Sequence, residues 1–425
     1  MRCLRWGGSI GGVCRRGDPL TGDTQLATDA DDLVIIGIEV GAESEEDLTP
    51  EDQTDLVGTT VGSSDWTAET MISQLNKGNI NLAPKFQRRD AWTDERKSRF
   101  IESLLLGIPI PQIVLAELPA QRGKYLVIDG KQRLLALRAF AGKLTADESA
   151  LVLVGLRLRA NLNGCRYIDL QASDTHAQDV TAFENQPIRT VVLRGWKSES
   201  VLYTIFYRLN AGSLPLSPQE LRHVLHPGPF MDYSFDFSSS SDSLVWLYGE
   251  NGKPDFRMRD VELLIRFFAL KLFWKDYAGD LKKFLDSAAA KLNADWERRC
   301  LEVSGLANNF EAAVQAVRQI FGDSNVFRKF LDGRYERRMN RAVADCMLFS
   351  LTDPLQRQES LARRDEVKGA FERLCSQDRE FIKSIESTTK SQRATFLRLC
   401  RWSEALSEVT GVKALELQEL QARIG

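Results

Sequence analysis

Short apolar runs and longer periodic segments alternate along the first half of the chain and give way to helical periods in the second. From Ile80 to about Leu225, the runs Ile113–Ala116, Lys124–Ile128, Leu151–Leu158 and Ile188–Leu193 are rich in Val, Ile and Leu and bounded by turn residues, which predicts strands. Between them, Thr93–Leu106, Gln132–Ala141, Val201–Leu209 and Ser217–Val224 carry the three-and-four spacing of helices. After the Ser-rich interruption Ser238–Ser243, the pattern is helical: Asp260–Trp274, Asp280–Leu292, Asp295–Phe321, Arg337–Leu351, Leu361–Leu374, Asp378–Glu386 and Gln392–Glu408, several headed by a capping Asp. The chain therefore divides into a mixed α and β part followed by an all-helical part, an α+β organisation with no internal repeat.

Length and charge refine this division. With 425 residues and 43% apolar composition, the chain has material for two or three cores. The formal charge of −3 conceals an uneven distribution: residues 17–60 hold 13 carboxylates and no Lys or Arg, so residues 61–425 carry 52 bases against 46 acids, a net of +6. A mildly basic body is compatible with a polyanionic partner. Residues 1–65 are acidic and glycine-rich, with only Leu33–Val40 strand-like, and are expected to form a mostly disordered arm. Seven scattered cysteines without a CxxC pair favour reduced thiols over disulfides or a zinc site. No apolar run has the length of a membrane span or a signal peptide, which points to a soluble, cytoplasmic protein without membrane contact.

The densest chemical signal is the stretch from Lys124 to Phe140. A strand ends at Ile128, Asp129-Gly130 turns, and a helix opens with Lys131, Gln132 and Arg133. Bases in a first turn oppose the helix dipole, and a bound anion resolves that conflict. Free N–H groups, the freedom of Gly130 and the Lys131 and Arg133 side chains together suit a phosphate cradle, with Asp129 placed to hold Mg2+ or orient a water. A plain strand-turn-helix corner with solvated charges accounts for the same residues equally well. In the cradle reading, Arg133 is a surface group aimed at phosphate and its removal leaves the fold intact.

Two further clusters stand out. Pro84-Lys-Phe86-Gln87-Arg88-Arg89 is an extended, donor-rich stretch ahead of the helix capped by Thr93, and a surface basic segment is its simplest reading. In the segment Phe206–Arg222, one helix stops at Asn210-Ala-Gly212 and another starts at Ser217, where a capping box with Glu220 explains both of those residues. Arg208, Asn210 and Arg222 are less well explained. Asp260 reads as a cap and Glu262–Arg266 as an ion pair, with docking onto the preceding domain as the alternative. Arg328, Lys329, Arg334, Arg337, Arg338 and Arg341 are suited to contacting phosphates or a partner protein. The motifs GxxxxGK[ST], GxGxxG after a strand and HExxH are missing. His223 and His226 sit three apart, but Pro227 ends their helix and helix-end packing is the favoured reading.

Five ordered motifs resemble the N-terminal domain of GmrSD-type restriction endonucleases, a ParB-like nucleotide-binding family. They are Pro84-x-Phe86-Gln87-Arg88-x3-Trp92, Gly107-Ile-Pro109-Ile-Pro111, Ile128-Asp129-Gly130-Lys131-Gln132-Arg133-Leu134, Leu162-Asn-Gly164 with Asp169-Leu170, and Arg208-Leu-Asn210-x-Gly212 with Glu220-Leu-Arg222. The resemblance implies a ParB-like mixed α/β nucleotide-binding domain at 66–235, followed by a helical domain at 244–425. It implies Asp129, Gln132 and Arg133 as catalytic residues for NTP hydrolysis. Gln87, Arg88, Gly130, Lys131, Arg208 and Asn210 would bind the nucleotide, and Asp129 would carry Mg2+. The sequence departs at Lys131, where the family usually has Gln, which preserves phosphate binding but not necessarily turnover. DNA, a nuclease or other defence subunit, and self-association into a homo-oligomer are the implied partners. A non-catalytic DNA-binding or adaptor protein using nucleotide as a switch is the alternative. Many relatives carry an HNH nuclease, yet no histidine follows His226, so the helical part lacks an HNH centre. A sulfiredoxin-like enzyme is discounted because no Cys lies between Cys14 and Cys165.

Overall fold

In the computed structural model, which describes residues 59–82, 92–144, 149–198, 201–202, 205, 217–250, 252–387 and 390–424, five strands build one mixed sheet. They are β1 (Thr60–Thr67), β2 (Ile80–Asn81), β3 (Ile113–Leu118), β4 (Gln121–Asp129) and β5 (Pro187–Arg194), in the order β1-β5-β3-β4-β2. Strand β3 runs parallel to β5 and antiparallel to β4, so it is central and buried on both faces. Ile113 and Leu115 enter one core, while Val114 and Ala116 enter the other. This is why its sequence is a continuous apolar run rather than an alternation.

The first core lies under α1 (Ala68–Asn76), α2 (Asp94–Leu105), α3 (Lys131–Ala141), α4 (Tyr167–Gln171) and α5 (Ala177–Asn185), with Ile101, Leu134, Leu137 and Phe183 against the sheet. The opposite core gathers Leu126, Ile128, Leu193, Trp196, Leu202 and Leu221, the last from α6 (Pro218–Leu225). Val224 of α6 also packs on the third and largest core, which makes α6 the joint between the sheet and the helical part.

That third core is built by α7 (Pro229–Ser240), α8 (Asp242–Tyr248), α9 (Arg259–Phe273), α10 (Leu281–Ala294), α11 (Trp296–Phe321), α12 (Arg341–Leu351), α13 (Pro354–Ala362), α14 (Arg364–Gln377), α15 (Arg379–Glu386), α16 (Gln392–Thr410) and α17 (Leu417–Ala422). Asp280, Asn340, Asp353, Asp378 and Ser391 cap α10, α12, α13, α15 and α16 through their side chains. A two-stranded hairpin, β6 (Phe330–Leu331) and β7 (Arg334–Tyr335), interrupts the helices. The α+β class with a helical C-terminal region therefore stands. Among the described residues, no helix is long and apolar enough to cross a membrane.

Several expectations change. Strand β1 begins at Thr60, ahead of the boundary at residue 66, and pairs along its length with β5. Leu33–Val40 lies outside the described residues, as does most of Val201–Leu209. The Ser-rich stretch Ser238–Ser243 is no break: it finishes α7 and starts α8, with the Ser241 hydroxyl accepting from Leu244 N. Leu151–Leu158 is not a strand. Its alternation is real only at the start, with Leu151 and Leu153 buried and Val152 and Val154 exposed; at Gly155, φ +68°, the phase shifts, so that Leu156 is buried and Leu158 exposed. However, Leu151 N and Leu153 N donate to the Ala139 and Cys165 carbonyls, and Val154 N, Leu156 N and Leu158 N to Ser98 Oγ, Asn163 Oδ1 and Glu102 Oε1, rather than to a neighbouring strand. Side-chain acceptors satisfy the backbone there as a ladder would. The five described cysteines are free, and burial pushes the Cys375 and Cys400 thiols up to about 12.

Candidate functional site

The corner between β4 and α3 sits where β4 ends and its antiparallel neighbour β3 begins. Gly130 has φ +98°, and a Cβ there would lie 3.1 Å from Ile113 Cγ1, so only glycine turns the chain without strain. Helix α3 then starts with no side-chain cap and no acidic residue in its first turn, unlike most helices of this chain. Its first-turn amides are the donors an anion would use.

Arg133 is not a surface group. It is 7% exposed; its Nη2 donates to Asp129 Oδ2 at 2.9 Å and its Nη1 to the Pro111 carbonyl at 2.6 Å. The Gly107-x-Pro-x-Pro111 motif explains this carbonyl. Gly107, at φ +69°, ends α2, Ile108 N returns to Ser103 O at 2.9 Å, and the chain then delivers Pro111 beside the end of β4. Arg133 thus clamps the entry of β3 to the exit of β4, and the expectation that it contributes nothing to the fold is corrected.

Lys131 is 8% exposed and its Nζ lies 2.6 Å from Glu220 Oε1, across 89 residues of sequence. Glu220 also keeps its capping role, its Oε2 accepting from Ser217 N at 2.7 Å while Ser217 Oγ accepts from Glu220 N at 3.0 Å. The capping box therefore accounts for only half of what Glu220 does. Two residues on, Arg222 is fully buried; Nε donates to Asp286 Oδ1 at 2.6 Å and Nη1 to Gln219 Oε1 at 2.9 Å. Helix α6 thus links the corner to α10 through the Arg222–Asp286 pair, in addition to the packing of Val224 on the third core.

The helical part brings a further cation. Arg257 lies within electrostatic reach of Glu220 and Asp255; burial holds it below the ordinary guanidinium range, and its buried Nε has no hydrogen-bond partner. Met258 next to it is fully buried with φ +58°, a left-handed conformation that only firm packing maintains. The nearness of Arg257 to Glu220 depends on packing between α6 and α9 and has no local signal in the sequence. The expectation of a local Glu262–Arg266 pair misses the partners from other helices: Arg266 pairs with Asp345, and Glu262 lies 3.9 Å from Arg341. Met258, not Asp260, occupies the cap position of α9.

Gln132 has its side-chain oxygen buried without a hydrogen-bond partner. Gln87, Arg88, Arg208 and Asn210 lie outside the described residues. His223 packs its ring edge-on to Phe235 at 5.7 Å and His226 lies 3.8 Å from Asp286. Among the described residues, no group of three or more His, Cys, Asp or Glu is placed to hold a metal ion.

Residues 69–226 match the family model described as GmrSD restriction endonuclease, N-terminal domain. No match is found among curated proteins.

Proposed function

The chain carries a GmrSD restriction endonuclease N-terminal domain over residues 69–226, and from that premise we propose that it is a restriction or defence protein that binds a nucleoside triphosphate and acts on DNA. The observation that carries the reading is the α3 N-terminus: uncapped, free of first-turn acids, turned by a glycine, and flanked by buried Lys131 and Arg133. These residues fit a polyphosphate, because backbone amides and guanidinium or ammonium groups are what phosphate oxygens accept from.

In this reading the first-turn amides of α3 hold phosphate oxygens, and Lys131 and Arg133 balance their charge. Gln132 Oε1, buried without a donor, orients a water or a ligand hydroxyl. Mg2+ would take Asp129 as its single carboxylate here, with phosphate and water oxygens completing its shell, which suits that ion's habit of keeping few protein ligands. When bound, it supplies neutralisation of phosphate charge. Asp129 would then be shared with Arg133, whose hold on Pro111 keeps the corner in shape.

One observation favours a second reading, nucleotide as a conformational switch without turnover. Both cations already have carboxylate partners, so phosphate must compete with Glu220 for Lys131 and with Asp129 for Arg133. Displacing Glu220 would perturb α6 and, through Arg222–Asp286, the helical part. Calorimetric titration with ATP, GTP, CTP and UTP, with Mg2+ and with and without DNA, tests binding. Phosphate release under the same conditions separates hydrolysis from switching. Failure of all four nucleotides to bind at millimolar concentration sinks both readings.

A further inference from the structure

The β6–β7 hairpin presents unpaired positive charge on a rigid support. Phe330 pairs with Tyr335 and Leu331 with Arg334, and the two residues between them, Asp332 (φ +49°) and Gly333 (φ +78°), are both left-handed. This is the tight turn whose twist matches a two-stranded ribbon. Its base is anchored: the Phe330 and Tyr335 rings meet at 5.1 Å, and Tyr335 Oη donates to Glu372 at 3.0 Å. Just beyond, Asn340 N returns to Phe327 O at 2.8 Å.

The structure sorts the six bases of this region into two sets. Arg341 is fully buried beside Tyr248, and Lys329 is 3% exposed and paired with Glu386 and Glu336, so neither is available to a phosphate; for these two the sequence expectation is corrected. Arg328 donates to the Glu336 carbonyl. Arg334, Arg337 and Arg338 are exposed, and none forms an ion pair with a described residue. Lys368 of α14 adds charge beside the hairpin, its Nζ 6.0 Å from the Tyr335 ring. The turn itself brings one exposed acid, Asp332, while Glu336 is engaged with Lys329.

We infer that this hairpin and the segment that leaves it contact the phosphate backbone of duplex DNA, with Arg334, Arg337 and Arg338 as phosphate ligands. A solvated surface face would scatter its bases among acids; here three guanidiniums, the side chains best suited to phosphate, stand exposed within five residues, on β7 and the segment just after it, with no ion pair to a described residue and one exposed acid, Asp332, beside them. A two-stranded ribbon also fits the width of a DNA groove. Such contacts position the protein without reading sequence. The inference rests on the proposal that the protein acts on DNA.

The test is fluorescence anisotropy of the full chain with a random-sequence duplex between 50 and 200 mM salt, in these variants: Arg334→Gln/Arg337→Gln/Arg338→Gln, the same positions changed to Lys, and a control Arg298→Gln/Arg379→Gln/Arg393→Gln elsewhere on the surface. Loss of three phosphate contacts lowers the salt slope by about 2.7, so over this range the wild type loses roughly 40-fold more affinity than the hairpin Gln variant. The Lys variant retains most of the slope and the control keeps all of it. Equal slopes for wild type and hairpin Gln variant, or an equal drop in the control, overturn the hairpin assignment while leaving DNA action intact. A wild type that binds no duplex at 50 mM salt overturns both. Tighter binding to duplex RNA than to DNA overturns the choice of DNA.

Discussion

The Lys131 ammonium and a Glu220 carboxylate oxygen lie 2.6 Å apart, both side chains less than a tenth exposed, and together they join the first turn of α3 to the first turn of α6. Removing one partner of a buried pair leaves the other uncompensated, which typically costs about 3–5 kcal/mol. Glu220→Gln keeps a capping-box side chain, so its effect isolates the lost charge. It is expected to lower stability in urea unfolding and to strengthen binding of any nucleotide phosphate, because the Glu220 carboxylate no longer competes for Lys131. The double variant Lys131→Met/Glu220→Gln should recover part of the stability and lose the gained affinity. Strictly additive single effects would show that the two residues are neighbours without being coupled.

Arg133→Ala is expected to destabilise the protein by about 2–4 kcal/mol, because it strands the Asp129 carboxylate and the Pro111 carbonyl together. Arg133→Lys retains the charge but cannot span both acceptors, and should fall between. Denaturant midpoints at unchanged slope report this directly. Turnover must then be compared on folded protein. A midpoint identical to wild type for Arg133→Ala would restore the view of Arg133 as a solvent-facing phosphate ligand alone.

Much of the architecture was legible because it follows local rules. The central strands announce themselves as apolar runs, and most helices of the second half start at capping residues that the sequence displays. The Asp332-Gly333 turn between Phe330-Leu331 and Arg334-Tyr335 is also a readable hairpin signal, overlooked because helical periods surround it. Leu151–Leu158 misleads because its apolar run and the alternate burial of its first four residues also arise in an extended segment whose later amides find side-chain acceptors. The corner of the candidate site was legible as residues but not as pairings. A charged residue is ordinarily exposed, so nothing local says that Lys131 and Arg133 are buried. Their partners come from Glu220 and Pro111, positions that only the folded sheet brings near.

Beginning the chain at Trp66 rather than Thr59 removes Thr60 to Asp65 from β1 and with them most of its pairing to β5. Strand β5 then becomes an open edge, with unpaired amides and carbonyls available to other chains. The chain starting at Trp66 is expected to melt at least about 4 °C lower than the one starting at Thr59 and to aggregate sooner. Scanning calorimetry on both settles it. Coincident transitions would mean that the sheet ends at β5 for purposes of stability.

Asp345 of α12 holds two arginines from other helices in the largest core. Arg266 of α9 donates through Nε at 2.6 Å and Nη2 at 2.7 Å, and Arg398 of α16 donates through Nη2 at 2.9 Å; all three side chains are at most 2% exposed. The single carboxylate therefore fixes how α9, α12 and α16 meet. Asp345→Asn keeps the shape but removes the negative charge that two buried guanidiniums share, and should cost about 3–5 kcal/mol, a large share of a domain's usual 5–15 kcal/mol. Replacing all three by Asp345→Leu, Arg266→Met and Arg398→Met exchanges the charges for apolar groups of similar bulk and is expected to recover most of that loss. Unfolding curves for wild type, single and triple variants decide the matter. If the triple variant is no more stable than Asp345→Asn, the arginines also serve contacts that the carboxylate does not explain; if Asp345→Asn is neutral, the triad does not hold the helices together.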